Sequence, residues 1–192
     1  MNKAIYFLAS MFLCLSASAQ DEGESSIHTV KATYGWNTYQ EIPTGFRDQD
    51  ETLFYAGEIS VTGVYALSWT VKQPYSNYEF GLSVGYERSS APLFRDQSQV
   101  GSYNVDHYLI LGQMHFDYWT SDKWRLGANF FLGGGWDSGN FSEGVERFNY
   151  TQVDYHYQID ALSLSYGEKV GFELNAGYGA LGYIRGGFFH RF

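Results

Sequence analysis

Tyr78-Glu79-Phe80-Gly81-Leu82-Ser83-Val84-Gly85-Tyr86-Glu87 alternates without a break. Tyr78, Phe80, Leu82, Val84 and Tyr86 fall on one side, and Glu79, Gly81, Ser83, Gly85 and Glu87 on the other. Successive side chains of a β-strand point to opposite faces, so a period of two implies an extended segment with one apolar and one polar face. A helix would scatter the same residues around its circumference.

The same period continues outward in both directions. Upstream, Ile59, Val61, Tyr65, Leu67 and Trp69 alternate with Glu58, Ser60, Thr62, Val64, Ala66 and Ser68, and before them Val30, Ala32, Tyr34 and Trp36 alternate with Thr29, Lys31, Thr33 and Gly35. Downstream, Tyr108, Ile110, Met114, Phe116 and Tyr118 oppose His107, Gln113, His115 and Asp117. Trp124, Leu126, Ala128, Phe130, Leu132 and Trp136 then oppose Arg125, Gly127, Asn129, Gly133 and Gly135. Leu162, Leu164 and Tyr166 face Ala161, Ser163 and Ser165, after a phase break near Asp160 that predicts a β-bulge. Val170, Phe172, Leu174, Ala176 and Tyr178 oppose Glu173 and Asn175; Ile184, Phe188 and Phe192 oppose Arg185, Gly187 and Arg191.

The connections alternate in length. Long ones are predicted at residues 37–53, 89–105 and 137–158, short ones at 72–77, 121–123 and 167–169, with a tight last turn at 179–182. Short turns at one end and long loops at the other are the pattern of an outer-membrane barrel. The predicted fold is all-β, an eight-stranded antiparallel up-and-down transmembrane β-barrel.

Composition and the N-terminus agree with that expectation. Aromatics make up 19% of residues, with 22 glycines and only three prolines. Lys3, the apolar run 4–16 and the small residues Ala17-Ser18-Ala19 read as a secretory signal. Residues 1–19 are therefore expected to be cleaved, leaving 20–192 as a single barrel domain. Cys14, the single cysteine, belongs to that apolar run, so no disulfide is expected in the mature chain. Removing Lys3 takes 12 basic residues to 11 against 21 acidic ones, a net charge of −10, which argues against a nucleic-acid partner.

A soluble barrel would turn its apolar face inward, whereas a membrane barrel turns it outward. The placement of aromatics favours the second. Trp69, Tyr78, Tyr118 and Trp124 gather beside short connections, and Trp36, Tyr86, Tyr108 and Trp136 beside long ones. Two aromatic rows with aliphatic residues between them match the girdles of a bilayer-spanning barrel. The opposite face then fills the lumen. Its predicted charge network comprises Lys31, Glu58, Glu79, Glu87, His115, Asp117, Arg125, Glu173, Arg185 and Arg191, because charges in so narrow an interior must pair.

Ile184, Phe188 and Phe192 end the chain in phase, within Gly186-Gly187-Phe188-Phe189-His190-Arg191-Phe192. This segment resembles the C-terminal assembly signal of small bacterial outer-membrane barrels of the OmpA-transmembrane-domain and OmpX type. His190 departs from it, standing where that family usually has an apolar residue. The resemblance, which covers nearly the whole mature chain in architecture, implies general secretory export. It also implies insertion by the outer-membrane assembly machinery into Gram-negative outer-membrane lipid.

Chemistry is less legible. His28, His107, His115, His156 and His190 form no H-E-x-x-H spacing, and no G-x-S-x-G elbow is present. His115 and Asp117 share the lumen face and read as members of a hydrogen-bond network rather than a metal half-site. The acidic run Arg47-Asp48-Gln49-Asp50-Glu51 lacks the calcium-loop pattern, so no metal or cofactor is expected. Ser89 and Ser90, with His107 across a hairpin, are the nearest approach to the constellation of a lipid-A-modifying enzyme. The sequence favours a porin-like structural or interaction barrel of the cell envelope. Its long loops, with aromatics such as Phe141, Phe148, Tyr150 and Tyr155, would meet an extracellular or envelope partner. A lipid-A-modifying enzyme and a narrow channel are the alternatives.

Overall fold

The computed structural model describes residues 26–36, 45–47, 53–95, 97–143 and 146–192. The signal-like segment 1–19 and most of the acidic run at 47–51 lie outside the described residues.

Among the described residues, eleven strands follow one another: β1 (Ile27–Trp36), β2 (Gly45–Arg47), β3 (Leu53–Ala56), β4 (Ser60–Val61), β5 (Val64–Lys72), β6 (Tyr78–Arg95), β7 (Ser98–Thr120), β8 (Trp124–Glu143), β9 (Glu146–Gly167), β10 (Val170–Gly179) and β11 (Ile184–Arg191). Eight of them close a ring: β1, β5, β6, β7, β8, β9, β10 and β11 pair antiparallel in that order, and β11 pairs back onto β1. The chain is therefore an all-β, eight-stranded antiparallel up-and-down barrel. Closure leaves no free edge around the ring. Phe192 adds the last rung, since it and His28 exchange two backbone hydrogen bonds of 2.9 Å.

The remaining strands are annexes of the tall part of the wall. Strand β3 pairs with β6 and carries β2, while β4 pairs with β6 at Ser90 and Ser89. Gly63, with φ +79°, separates β4 from β5. A Cβ there would stand 2.5 Å from the Tyr34 hydroxyl, so backbone and space both favour glycine. This break corrects one expectation. Glu58, placed by period in the lumen, lies exposed before β4, because the alternation does not run through Gly63.

The wall is uneven in height. Strands β6 to β9 are 18 to 23 residues long, whereas β1, β5, β10 and β11 have 8 to 10. Two of the predicted long loops, 89–105 and 137–158, are thus largely strand. The physical reason is a reversal of pattern. On β6 and β7 the outward positions turn polar above Tyr86 and Tyr108, at Arg88, Ser90, Asn104 and Asp106. Inward positions there are the apolar Ala91, Leu93, Tyr103 and Val105, all buried. A reading tuned to apolar-out alternation ends too early.

Bulges re-aim side chains elsewhere. The β9–β10 register shifts opposite Ala161, at the phase break near Asp160, and turns both Ala161 and Leu162 outward; Ala161 had been expected on the inner face. A second shift on β7, between Asp117 and Trp119, leaves Tyr118 and Trp119 both exposed. The short β10–β11 turn folds inward, and Leu181 at its tip is buried with Val64, Ala66, Leu109, Leu111 and Phe131. Gln158 holds that turn, donating to the Gly182 carbonyl at 2.9 Å and accepting from the Leu181 amide at 2.9 Å.

Candidate functional site: the layered lumen

The inward residues of β7, read from the short-turn end, are Asp117, His115, Gln113, Leu111, Leu109, His107, Val105 and Tyr103, and every one is buried. They mark four layers: a charged lower layer, an apolar floor, a thin polar layer and an apolar upper wall.

The lower layer is a continuous ion-pair network. Arg125 forks Asp117, with Nε 3.0 Å from Oδ1 and Nη2 2.6 Å from Oδ2, and Nη2 also bridges to Glu79. Lys72 reaches Asp117 at 2.7 Å, His115 links Asp117 at 2.9 Å to Asn129 at 2.8 Å, and Thr70 donates to Glu79 at 3.1 Å. Across the barrel, Lys31 pairs with Glu173 at 3.1 Å and Arg185 with Asp160. Asn129 ties the two sides together by donating to Asp160 at 3.1 Å and to Asn175 at 3.0 Å. Four cations, Lys31, Lys72, Arg125 and Arg185, meet four carboxylates, Glu79, Asp117, Asp160 and Glu173. Bidentate and shared contacts of this kind offset the desolvation of buried charge.

The candidate residues divide accordingly. Lys31, Glu79, His115, Asp117, Arg125, Glu173 and Arg185 share the lower network. Glu87 is buried higher up, level with His107. Arg191 lies near the short-turn end, donates to the carbonyls of Gly167 and Glu168 at 3.1 Å each and covers the Phe189 ring at 4.1 Å. Period reading missed Lys72, which lay in a predicted turn, and Asp160, which lay at the phase break. It also missed the floor of Leu109, Leu111 and Phe131, against which Arg185 of the lower network stacks, 4.7 Å from the Phe131 ring centroid.

The thin polar layer spans three neighbouring strands. Ser89 Oγ on β6 stands 2.8 Å from His107 Nε2 on β7, and His107 Nδ1 stands 2.7 Å from Asp137 Oδ1 on β8. An ionised carboxylate only accepts, so Nδ1 donates to Asp137 and Nε2 is left to accept the Ser89 proton. On β9, the His156 ring leans over Gly135, where a Cβ would come within 2.9 Å of His156 Nε2. No group of three or more potential metal ligands occurs among the described residues.

The outer surface is apolar. Leu67, Val84, Ile110, Met114, Phe130, Leu132, Leu162, Phe172 and Leu174 are exposed. At one end stand Trp69, Tyr78, Tyr118, Trp119 and Trp124; at the other, Trp36, Tyr65, Trp136, Tyr157 and Tyr178 are exposed and Tyr86 and Tyr108 half-buried. Neighbours in these collars touch ring to ring, as in Tyr108 with Trp136 (centroids 5.1 Å) and Trp124 with Tyr166 (4.6 Å). Ile184, Phe188 and Phe192 are exposed on the same surface. An outward groove of about 630 Å³ runs beneath the upper collar, lined by Tyr65, Leu67, Val84, Tyr108, Ile110 and Phe188 among others.

No protein-family model matches the chain, and no curated protein does. Among solved structures, it is similar to Ail, the attachment invasion locus protein of Yersinia pestis. That match has 13% identity over 87% of this chain and 95% of that one, with a TM-score of 0.42. A second structure of Ail, in complex with the heparin analogue sucrose octasulfate, matches at 11% identity over 88% of this chain and 100% of that one, with a TM-score of 0.45.

Proposed function

We propose that the protein is a bacterial outer-membrane β-barrel that presents its tall strands as a rigid interaction surface outside the cell. The observation that carries this reading is the inside-out surface: a continuous apolar belt between two aromatic collars around a lumen full of paired charge. In water such a belt would be an aggregation surface far beyond what soluble monomers expose; against acyl chains it is the stable arrangement. Export through the secretory route with cleavage after Ala19, and recognition of Ile184, Phe188 and Phe192 by the assembly machinery, complete the reading. The long hairpins would then face outward, with Val153 and Tyr155 almost fully exposed on β9 as contact residues for an extracellular or envelope partner.

Cell fractionation combined with gel migration before and after heating tests this. The mature chain is expected in the outer-membrane fraction, with an unboiled form that migrates differently from the boiled one. A mature chain that stays soluble in the periplasm without detergent would overturn the assignment. A filled lumen speaks against an open pore, and planar-bilayer recordings are expected to show no steady conductance.

A further inference from the structure

The Ser89–His107–Asp137 chain sits where the fold does not require polarity. Below it lie Leu109, Leu111 and Phe131, and above it Ala91, Tyr103 and Val105. Glu87 is buried at the same level, opposite His107, but three aliphatic side chains in place of Ser89, His107 and Asp137 would remove those three residues' own need for buried partners. In the lower layer the charged side chains are paired with one another; here a serine hydroxyl occupies the one imidazole nitrogen that the carboxylate leaves open.

We propose that Ser89, His107 and Asp137 form a hydrolytic triad that cleaves small carboxylic esters entering from the long-hairpin end of the barrel. Roles follow from the contacts. Asp137 fixes the tautomer and orientation of His107, and is a positioning residue; His107 Nε2 is the base; Ser89 Oγ is the nucleophile. Ser89 Oγ attacks the ester carbonyl carbon while its proton passes to His107 Nε2. Collapse of the tetrahedral adduct breaks the bond to the alcohol oxygen, and the alcohol leaves with that proton. A water molecule, giving its proton to His107, then attacks the acyl-Ser89 carbonyl. The acid departs as the proton returns to Ser89 Oγ, so the net reaction consumes one ester and one water.

Two further features define the substrate. Ala91 and Val105, next inward on β6 and β7, offer an apolar wall for a short acyl group beside Ser89. His156 Nε2, on β9, is buried beside Gly135 without a hydrogen-bond partner and adds a polar group to this part of the lumen. The triad faces the lumen, and β6, β7 and β8 are paired without interruption at its height. Esters held in a surrounding bilayer are therefore walled off, and the substrate is one delivered from solution.

The test uses the full mature chain folded in detergent micelles, its folding checked by heat-modifiable migration. A fluorophosphonate probe is expected to add to Ser89, located by peptide mass mapping, and p-nitrophenyl butyrate to be hydrolysed in parallel. His107→Ala should slow both by about 100-fold or more. Asp137→Asn should slow them too, with Asp137→Glu, which keeps the carboxylate, recovering part of the loss. A folded native chain that forms no Ser89 adduct overturns the proposal, as does labelling at an equal rate in His107→Ala. Mapping the adduct on the native chain stands even if Ser89→Ala fails to fold. Ser89-dependent hydrolysis of phospholipid vesicles, with the butyrate ester untouched, would overturn the soluble-substrate assignment.

Discussion

The lower and upper halves of the lumen stand in the same narrow barrel but handle polarity in opposite ways. Near the short turns, four cations and four carboxylates are cross-linked between strands, and every carboxylate oxygen has at least one donor. Near the long hairpins, one hydrogen-bonded line, Ser89 to His107 to Asp137, is sandwiched between apolar layers. The difference teaches where stability and function separate. A dense charge network tolerates no vacancy, because any lost partner leaves a buried ion. A short hydrogen-bonded line whose one carboxylate keeps some access to solvent can be edited at modest cost, and such a place can hold chemistry.

Arg125 is the most exacting position of the lower layer, since it serves two carboxylates. Replacing it with Met leaves Glu79 and Asp117 without their shared guanidinium. Loss of one partner of a buried pair costs about 3–5 kcal/mol. Urea unfolding of the micelle-folded protein, followed by tryptophan fluorescence, should show a destabilisation of that size. A change below about 1 kcal/mol would mean that water reaches the lower layer and that its charges are not tightly coupled.

A second substitution sharpens the same point. Arg185→Met strands Asp160, whereas Arg185→Met combined with Asp160→Leu removes both charges. The double variant should be more stable than the single one, with a coupling of about 0.5–3 kcal/mol from the double-mutant cycle. Additive effects would place the two side chains in independent environments.

These contrasts were only partly legible in the sequence. The eight segments could be read because lipid-facing and lumen-facing positions alternate strictly where both environments are uniform. The reading failed where one environment changed. Above the upper collar the outside is polar and the inside apolar, so residues 89–105 and 137–158 resembled loops although they are mostly strand. Lys72 looked like a turn residue, yet its long stem carries the ammonium back to Asp117. The polar line is a still harder case. Ser89, His107 and Asp137 lie far apart in the chain, and only the antiparallel register of β6, β7 and β8 brings them level. The proximity of Ser89 and His107 across a hairpin was visible; Asp137, assigned to a loop, was not.

In the upper half, His107→Leu is expected to cost about 2 kcal/mol, because two hydrogen bonds go, one of them to a carboxylate. Its hydrogen-bond partners are an uncharged serine and a carboxylate that keeps some access to solvent, so the ion this pair leaves behind is not fully buried. The urea midpoint should fall less than for Arg125→Met. An equal fall would erase the distinction between the two halves and make the polar line as structural as the lower network.

The smallest effect is expected outside the barrel, where Arg88 and Asp106 repeat the lower layer's fork in water. Arg88 Nε and Nη2 donate to Asp106 at 2.8 and 3.1 Å, and the Tyr86 hydroxyl donates at 2.7 Å. The Arg88 hydrogen bond is the main reason that the Asp106 carboxyl titrates below its ordinary value. A depressed carboxyl contributes stability that is complete above its ordinary pKa and is lost as pH falls through the depressed one. Titration of Asp106 by NMR should therefore give a midpoint below 3.8, returning toward that value in Arg88→Gln. Exposure and salt screen this pair, so its removal should hardly move the urea midpoint at neutral pH. If it instead destabilised the barrel as much as Arg125→Met, the strength of the lower network would owe nothing to burial, since the same fork of donors would count equally in water and in the lumen.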